Sequence, residues 1–233
     1  MSIKSKMLNN LYKYRFEIFL VSQIAILFGS LVTTRKLFDI LSPVLFYINI
    51  VAGSLFIGNH EKGSIRIFAF VLIVIGGVFT LASINEENNV FTYLKIAVLF
   101  LFHLVVTYNI INQIWIAKVV NKNVIIGVIS GFISLGLIGF FLCLSIEIIH
   151  SNSFSNIEII NDAENTVTER LMYFSYITLM TIGYGDILPN THLAQKATIA
   201  IGLIGQFYLV IVTAIVVGKF VNQKHAESGN KDK

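Results

Sequence analysis

The chain has 233 residues, of which 55% are hydrophobic and only 13% charged, with a mean hydropathy of +0.77 and a formal net charge of +4. Soluble domains carry ~25% charged residues, so soluble globular, disordered, collagenous and disulfide-rich secreted classes are excluded and an integral membrane protein remains. Cys143 is the only cysteine, which removes an intrachain disulfide or a cysteine-based metal cluster and leaves a small apolar filler.

A helix that crosses a bilayer needs ~20 mainly apolar residues. Six such runs follow one another, over residues 16–34, 40–57, 65–83, 91–117, 124–149 and 194–220. The first follows Lys4, Lys6, Lys13 and Arg15 as a signal peptide would, yet it is too long for an h-region and no small-x-small cleavage site follows it. It is therefore expected to remain as a span. The expected fold class is all-α: a polytopic membrane protein with six transmembrane helices. Both termini then lie on one side. Placing them in the cytoplasm leaves only Arg35, Lys36, Lys95, Arg170 and Lys196 of the 17 Lys+Arg residues outside, in line with the positive-inside rule. The basic stretch 118–123 is the one seam, dividing a four-helix part, 1–117, from a two-helix part, 118–233. The tail after residue 220 is too short to fold alone, so no cytosolic ligand-binding domain is expected in this chain.

Between the fifth and sixth runs, Thr166-Val167-Thr168-Glu169 fits a capping box and predicts a helix start. The dozen positions from Glu169 to Met180 reach ~18 Å, short of the ~30 Å hydrocarbon core. Such a helix enters the membrane without crossing it. Gly183, Gly185 and then Pro189 end it. Non-helical backbone at membrane depth is tolerated only inside protein or along a watery cavity, so this stretch is expected to line a pore. Alternating glycines take φ > 0 without a Cβ clash, which lets successive carbonyls turn to one side. A ring of such carbonyls replaces the hydration shell of a cation.

Thr178-Leu179-Met180-Thr181-Ile182-Gly183-Tyr184-Gly185-Asp186 resembles the pore loop of tetrameric potassium channels, whose selectivity filter reads T-V/I-G-Y-G followed by Asp. Tyr173-Phe174-Ser175-Tyr176 resembles the aromatic part of that family's pore helix, and Gly205 its inner-helix glycine hinge. The resemblance extends over 124–220; over the first four spans it is one of architecture only. It implies a re-entrant loop over 166–189, in which carbonyls of Thr181, Ile182, Gly183 and Tyr184, with the Thr181 hydroxyl, coordinate K⁺. Gly185 would let the mouth turn, while Asp186, Tyr173, Phe174 and Tyr176 support the filter. Met180 stands where many members have a second Thr, and Ile177 where some carry a supporting Glu. That leaves Asp186 and aromatic partners to tie down the back of the filter. One loop encloses nothing, so a homotetramer in a plasma or bacterial inner membrane is implied. The implied partners are K⁺ and the lipid bilayer, with no cofactor and no nucleic acid.

Glu147, Glu158, Asp162, Glu164 and Glu169 fall near the expected outer mouth and would concentrate cations there, unless they are simply a solvated loop. The fourth run offers only Lys95 and His103 as cationic groups, too few for voltage sensing, which needs several charges at every third position. His103, Asn109, Asn112, Gln113 and Asn49 have interhelical hydrogen bonding as their plain role. Close helix packing is likewise the plain role of Gly202, Gly205 and Gly218, set beside a hinge at Gly205. The histidines are too scattered for a metal site. Three further readings compete. Gly183-Tyr184-Gly185-Asp186 is formally the G-x-G-D of intramembrane aspartyl proteases, but these need a second Asp at membrane depth, and Asp39, Asp162 and Asp232 lie elsewhere. A secondary transporter would show paired broken helices. A weakly selective cation channel would keep the pore and change its selectivity, against which the intact Gly183-Tyr184-Gly185 argues.

Overall fold

The computed structural model describes residues 12–54, 71, 74, 89–157 and 167–229, and they are helical almost throughout. In chain order the helices are α1 (Arg15–Val32), α2 (Arg35–Ser54), α3 (Asn89–Ile116), α4 (Lys122–Ile149), α5 (Val167–Leu179) and α6 (His192–Phe207). The last of these runs through a π-helical turn, Tyr208–Val212, into α7 (Thr213–Gly229). The only extended pairing among the described residues is an isolated antiparallel bridge between Phe154 and Pro189.

Four helical stretches are long and apolar enough to cross a membrane: Arg15–Val32, Ile96–Ile116, Lys122–Ile149 and the rod His192–Ala226. The protein is thus a multi-pass, all-α membrane protein. These four correspond to the first, fourth, fifth and sixth expected spans. The second expected span begins in α2, whose apolar part is Val44–Ser54, and runs past the described residues. The third lies outside them, except for Val71 and Val74, which are helical. Helix α4 shows why such a segment folds this way. Asn121 accepts the Val124 N–H at 3.1 Å as an N-cap, and no charge follows Lys122 until Glu147. A helix apolar on every face is stable only in lipid or in a protein core.

The described residues form two compact units, dividing within α3 between Asn109 and Ile110. In the first, α1 packs on α2, and Phe19, Phe102 and Val106 close around Gly53. A buried polar chain threads this unit. Asn49 donates to Ser22 Oγ at 2.9 Å and faces His103 Nε2 at 3.2 Å, while His103 Nδ1 meets the Leu99 carbonyl at 2.9 Å. Interhelical hydrogen bonding is therefore the role of Asn49 and His103. Asn109 instead donates to the Val105 carbonyl of its own helix at 2.9 Å.

In the second unit, α4 is the wall on which α5 and α6 pack. Glycines on α4 make recesses for hydroxyl-bearing side chains. Tyr208 Oη sits at Gly131, the Tyr176 ring at Gly136 and Ser175 Oγ at Gly139, so close that a Cβ at any of the three would collide. A hydroxyl buried among apolar groups needs an acceptor. Tyr208 donates to the Val128 carbonyl at 2.7 Å, Tyr176 to Ile133 at 2.7 Å and Ser175 to Gly136 at 2.8 Å. At the other end of the unit, Lys219 Nζ donates to the carbonyls of Ile114, Trp115 and Ala117 at 3.3, 2.6 and 2.8 Å. Gln223 accepts the Val120 N–H at 3.1 Å. An ammonium on the last carbonyls of α3 compensates the negative end of that helix.

Candidate functional site

The 13 residues of α5 span ~20 Å, too short to cross a bilayer. Its start, Val167, follows Thr166, so the Thr of the expected capping box lies outside the described residues. Its end is well defined. Thr181 N–H donates to the Thr178 carbonyl at 3.0 Å, and Ile182 N–H to the Ile177 carbonyl at 2.8 Å. These two bonds are the pair that closes a Schellman helix end, in which the residue after the cap is left-handed. That residue is Thr181, with φ +58°. Gly183 N–H adds a longer bond to the same Ile177 carbonyl, 3.3 Å.

From here left-handed residues alternate with ordinary ones. Thr181 (φ +58°), Gly183 (φ +56°) and Gly185 (φ +81°) have positive φ, whereas Ile182 and Tyr184 do not. Glycine takes this conformation freely, but a β-branched Thr does so only under strain. All six residues from Thr181 to Asp186 are exposed in the single chain, with Tyr184 71% accessible.

The surroundings of this stretch come from three elements. On α5, the Tyr173 side chain is hydrogen-bonded to Asp186. Phe174 packs edge-on against Phe154 at 5.1 Å, and Tyr176 is fixed on α4. The structure thus joins Tyr173 to Asp186, while Phe174 and Tyr176 hold the helix to its scaffold. On α6, Gly205 receives the Leu179 carbonyl so closely that no side chain would fit, which is the close-packing role. The helical irregularity lies beyond it, at Tyr208–Val212. Among the described residues, a Cβ at Gly202 would meet only the Thr178 carbonyl, at 4.0 Å, and one at Gly218 nothing within 4 Å.

The third element was missed by sequence reasoning. The loop after α4 runs back along residues 186–191. Ser155 N–H donates to the Leu188 carbonyl at 2.9 Å, Asn190 N–H to Ser153 at 2.8 Å, and Asn156 Nδ2 to the Asp186 carbonyl at 3.0 Å. Glu147 anchors the loop by accepting the N–H groups of Asn152 and Phe154 at 2.7 and 3.1 Å. The sequence signal available was Ser151-Asn152-Ser153-Phe154-Ser155-Asn156, a run of turn-formers whose two asparagines both adopt left-handed φ. Glu158, Asp162 and Glu164 lie outside the described residues. Among those described, no group of His, Cys, Asp or Glu could hold a metal ion.

A short helix and an irregular, glycine-alternating turn thus lie between the last two long helices of the described chain. Residues 138–222, which contain the short helix and the turn, match the family described as ion channel. This part of the chain is similar to that ion-channel family. A curated relative, the small conductance calcium-activated potassium channel protein of Drosophila melanogaster, is 32% identical over 76 residues. The match takes in 33% of this chain and 8% of that protein, so the chain spans only a small part of its length. No solved structure matches the chain.

Proposed function

We propose that the protein is a potassium-selective channel, a homotetramer of six-span subunits that passes K⁺ passively through rings formed by Thr181 to Gly185. The observation that carries the reading is the alternation of left-handed φ at residues 181, 183 and 185, directly after a helix that cannot cross the bilayer. Alternating handedness turns neighbouring carbonyls of an extended stretch toward one side, as a ring that substitutes for water around a cation requires. Helix α5 brings its C-terminal, partially negative end to the start of that stretch, which favours a cation there.

Two features support assembly. The exposed irregular backbone of 181–186 is not tolerated against lipid and needs partner subunits to enclose it. The rod α6–α7 also presents Leu203, Phe207, Val210 and Val217, each half exposed or more, an apolar surface suited to neighbouring subunits and lipid. Residues 1–117 then form a four-helix part without gating charges and 118–233 the pore domain, with both termini cytoplasmic. The match to a potassium channel of Drosophila melanogaster favours K⁺ over a weakly selective pore.

The test is reconstitution in planar bilayers with K⁺ on one side and Na⁺ on the other. The expected result is a reversal potential near the K⁺ equilibrium value that Gly183→Ala abolishes. Equal permeability to Na⁺ would favour the weakly selective alternative.

A further inference from the structure

We infer that Asn156 is a positioning residue of the outer mouth, its side-chain amide holding the Asp186 carbonyl so that the conducting form of the 181–185 stretch persists; this rests on the channel reading above. Asp186 directly follows Gly185, whose φ of +81° leaves the backbone free to swing. It is held from two sides. The carboxylate is hydrogen-bonded to Tyr173 of α5, and the carbonyl accepts Asn156 Nδ2 from the loop after α4 at 3.0 Å. The first bond fixes the side chain. The second fixes the plane of the next peptide, so together they stop Asp186 from turning.

The loop that carries Asn156 is a firm mount. Glu147 ties it to α4 through two backbone N–H groups. Phe154 is 2% exposed and lies against Phe174, and Ser153 and Ser155 pair with Asn190 and Leu188. At its far end Asn156 has φ +59°, a conformation that few residues besides Gly, Asn and Asp accept. Glycine would fit there but donates nothing from a side chain. Aspartate would fit but turn an acceptor toward a carbonyl. Asparagine alone of these three supplies a side-chain N–H, so conformation and hydrogen bond can be separated by substitution.

A permeant ion that binds only the ordered filter stabilises it by mass action. Loosening the mouth should therefore shorten the conducting period most when outer K⁺ is scarce. The experiment records sustained current from the full-length channel in planar bilayers at low and at high outer K⁺, for the wild type, Asn156→Asp and Asn156→Gly. Both variants are expected to lose current roughly two- to tenfold faster at low outer K⁺, the factor that one neutral hydrogen bond is worth. High outer K⁺ should restore the wild-type rate, and the initial reversal potential should be unchanged. A merely structural role would lower thermal stability and leave the K⁺ dependence of the decay untouched, which would overturn the inference. If Asn156→Asp does not assemble, Asn156→Gly, at an exposed position and with the more permissive backbone, decides alone. Variants that decay like a conducting wild type overturn the inference only, whereas a wild type that never conducts K⁺ overturns the channel reading with it.

Discussion

Thr181 occupies a conformation its chemistry resists. A β-branched residue at φ +58° is held there because it closes the end of α5 while opening the stretch that follows. Thr181→Gly should relieve ~1 kcal/mol of backbone strain and raise thermal stability slightly while removing a ring of hydroxyls. The expected outcome is a stable assembly with reduced K⁺ over Na⁺ discrimination, checked by thermal unfolding and reversal potential together. Gly183→Ala should do the reverse, since φ +56° costs a non-glycine residue about 1–2 kcal/mol, and flux should be lost. At this scale the T-x-G-Y-G spacing was legible in the sequence. The left-handed Thr was not, because local preference argues against it and only the hydrogen bonds to Ile177 and Thr178 overrule that preference.

Among the elements, the junction of α5, α6 and α4 depends on absent side chains. A Cβ at Gly205 would run into the Leu179 carbonyl, which is backbone and cannot move aside cheaply. Gly205→Ala should therefore destabilise the pore domain by about 1–3 kcal/mol, the usual cost of overpacking, as read by thermal unfolding. Unchanged stability with altered gating would favour the hinge role. Lys219 makes a second prediction, because it alone covers three carbonyls at the end of α3. Lys219→Met should speed hydrogen exchange of the amides from 117 to 120 by roughly tenfold, as expected for charge-assisted bonds worth about 1.5 kcal/mol. The long apolar helices and the short α5 were readable from run length and from the glycines that follow. The strip joining residues 153–156 to 186–191 was not. Its partners lie 30 to 38 positions apart, and nothing in a Ser/Asn-rich stretch names the backbone it will meet. The π-helical turn at Tyr208–Val212 was equally hidden, as it falls in an uninterrupted apolar run with no proline to announce it.

For the whole molecule, the described residues fall into two compact units. Among the described residues, the N-terminal unit buries the polar groups Asn49, His103 and Ser22 rather than a ladder of arginines. Its conductance is expected to depend only weakly on voltage. A conductance–voltage curve with a slope worth ~3 or more charges per subunit would refute this. In the C-terminal unit a strained turn is fixed from α5, from α6 and from the loop after α4. In the proposed channel, main-chain oxygens of residues 181 to 184 surround a dehydrated ion on a fourfold axis. Anomalous diffraction from crystals of the full-length protein soaked in rubidium or thallium tests it most directly. The expected result is a row of peaks on that axis, level with these four residues and ringed by their carbonyls. Heavy-ion density absent from the axis, or carbonyls of 181 to 184 turned toward lipid, would contradict it.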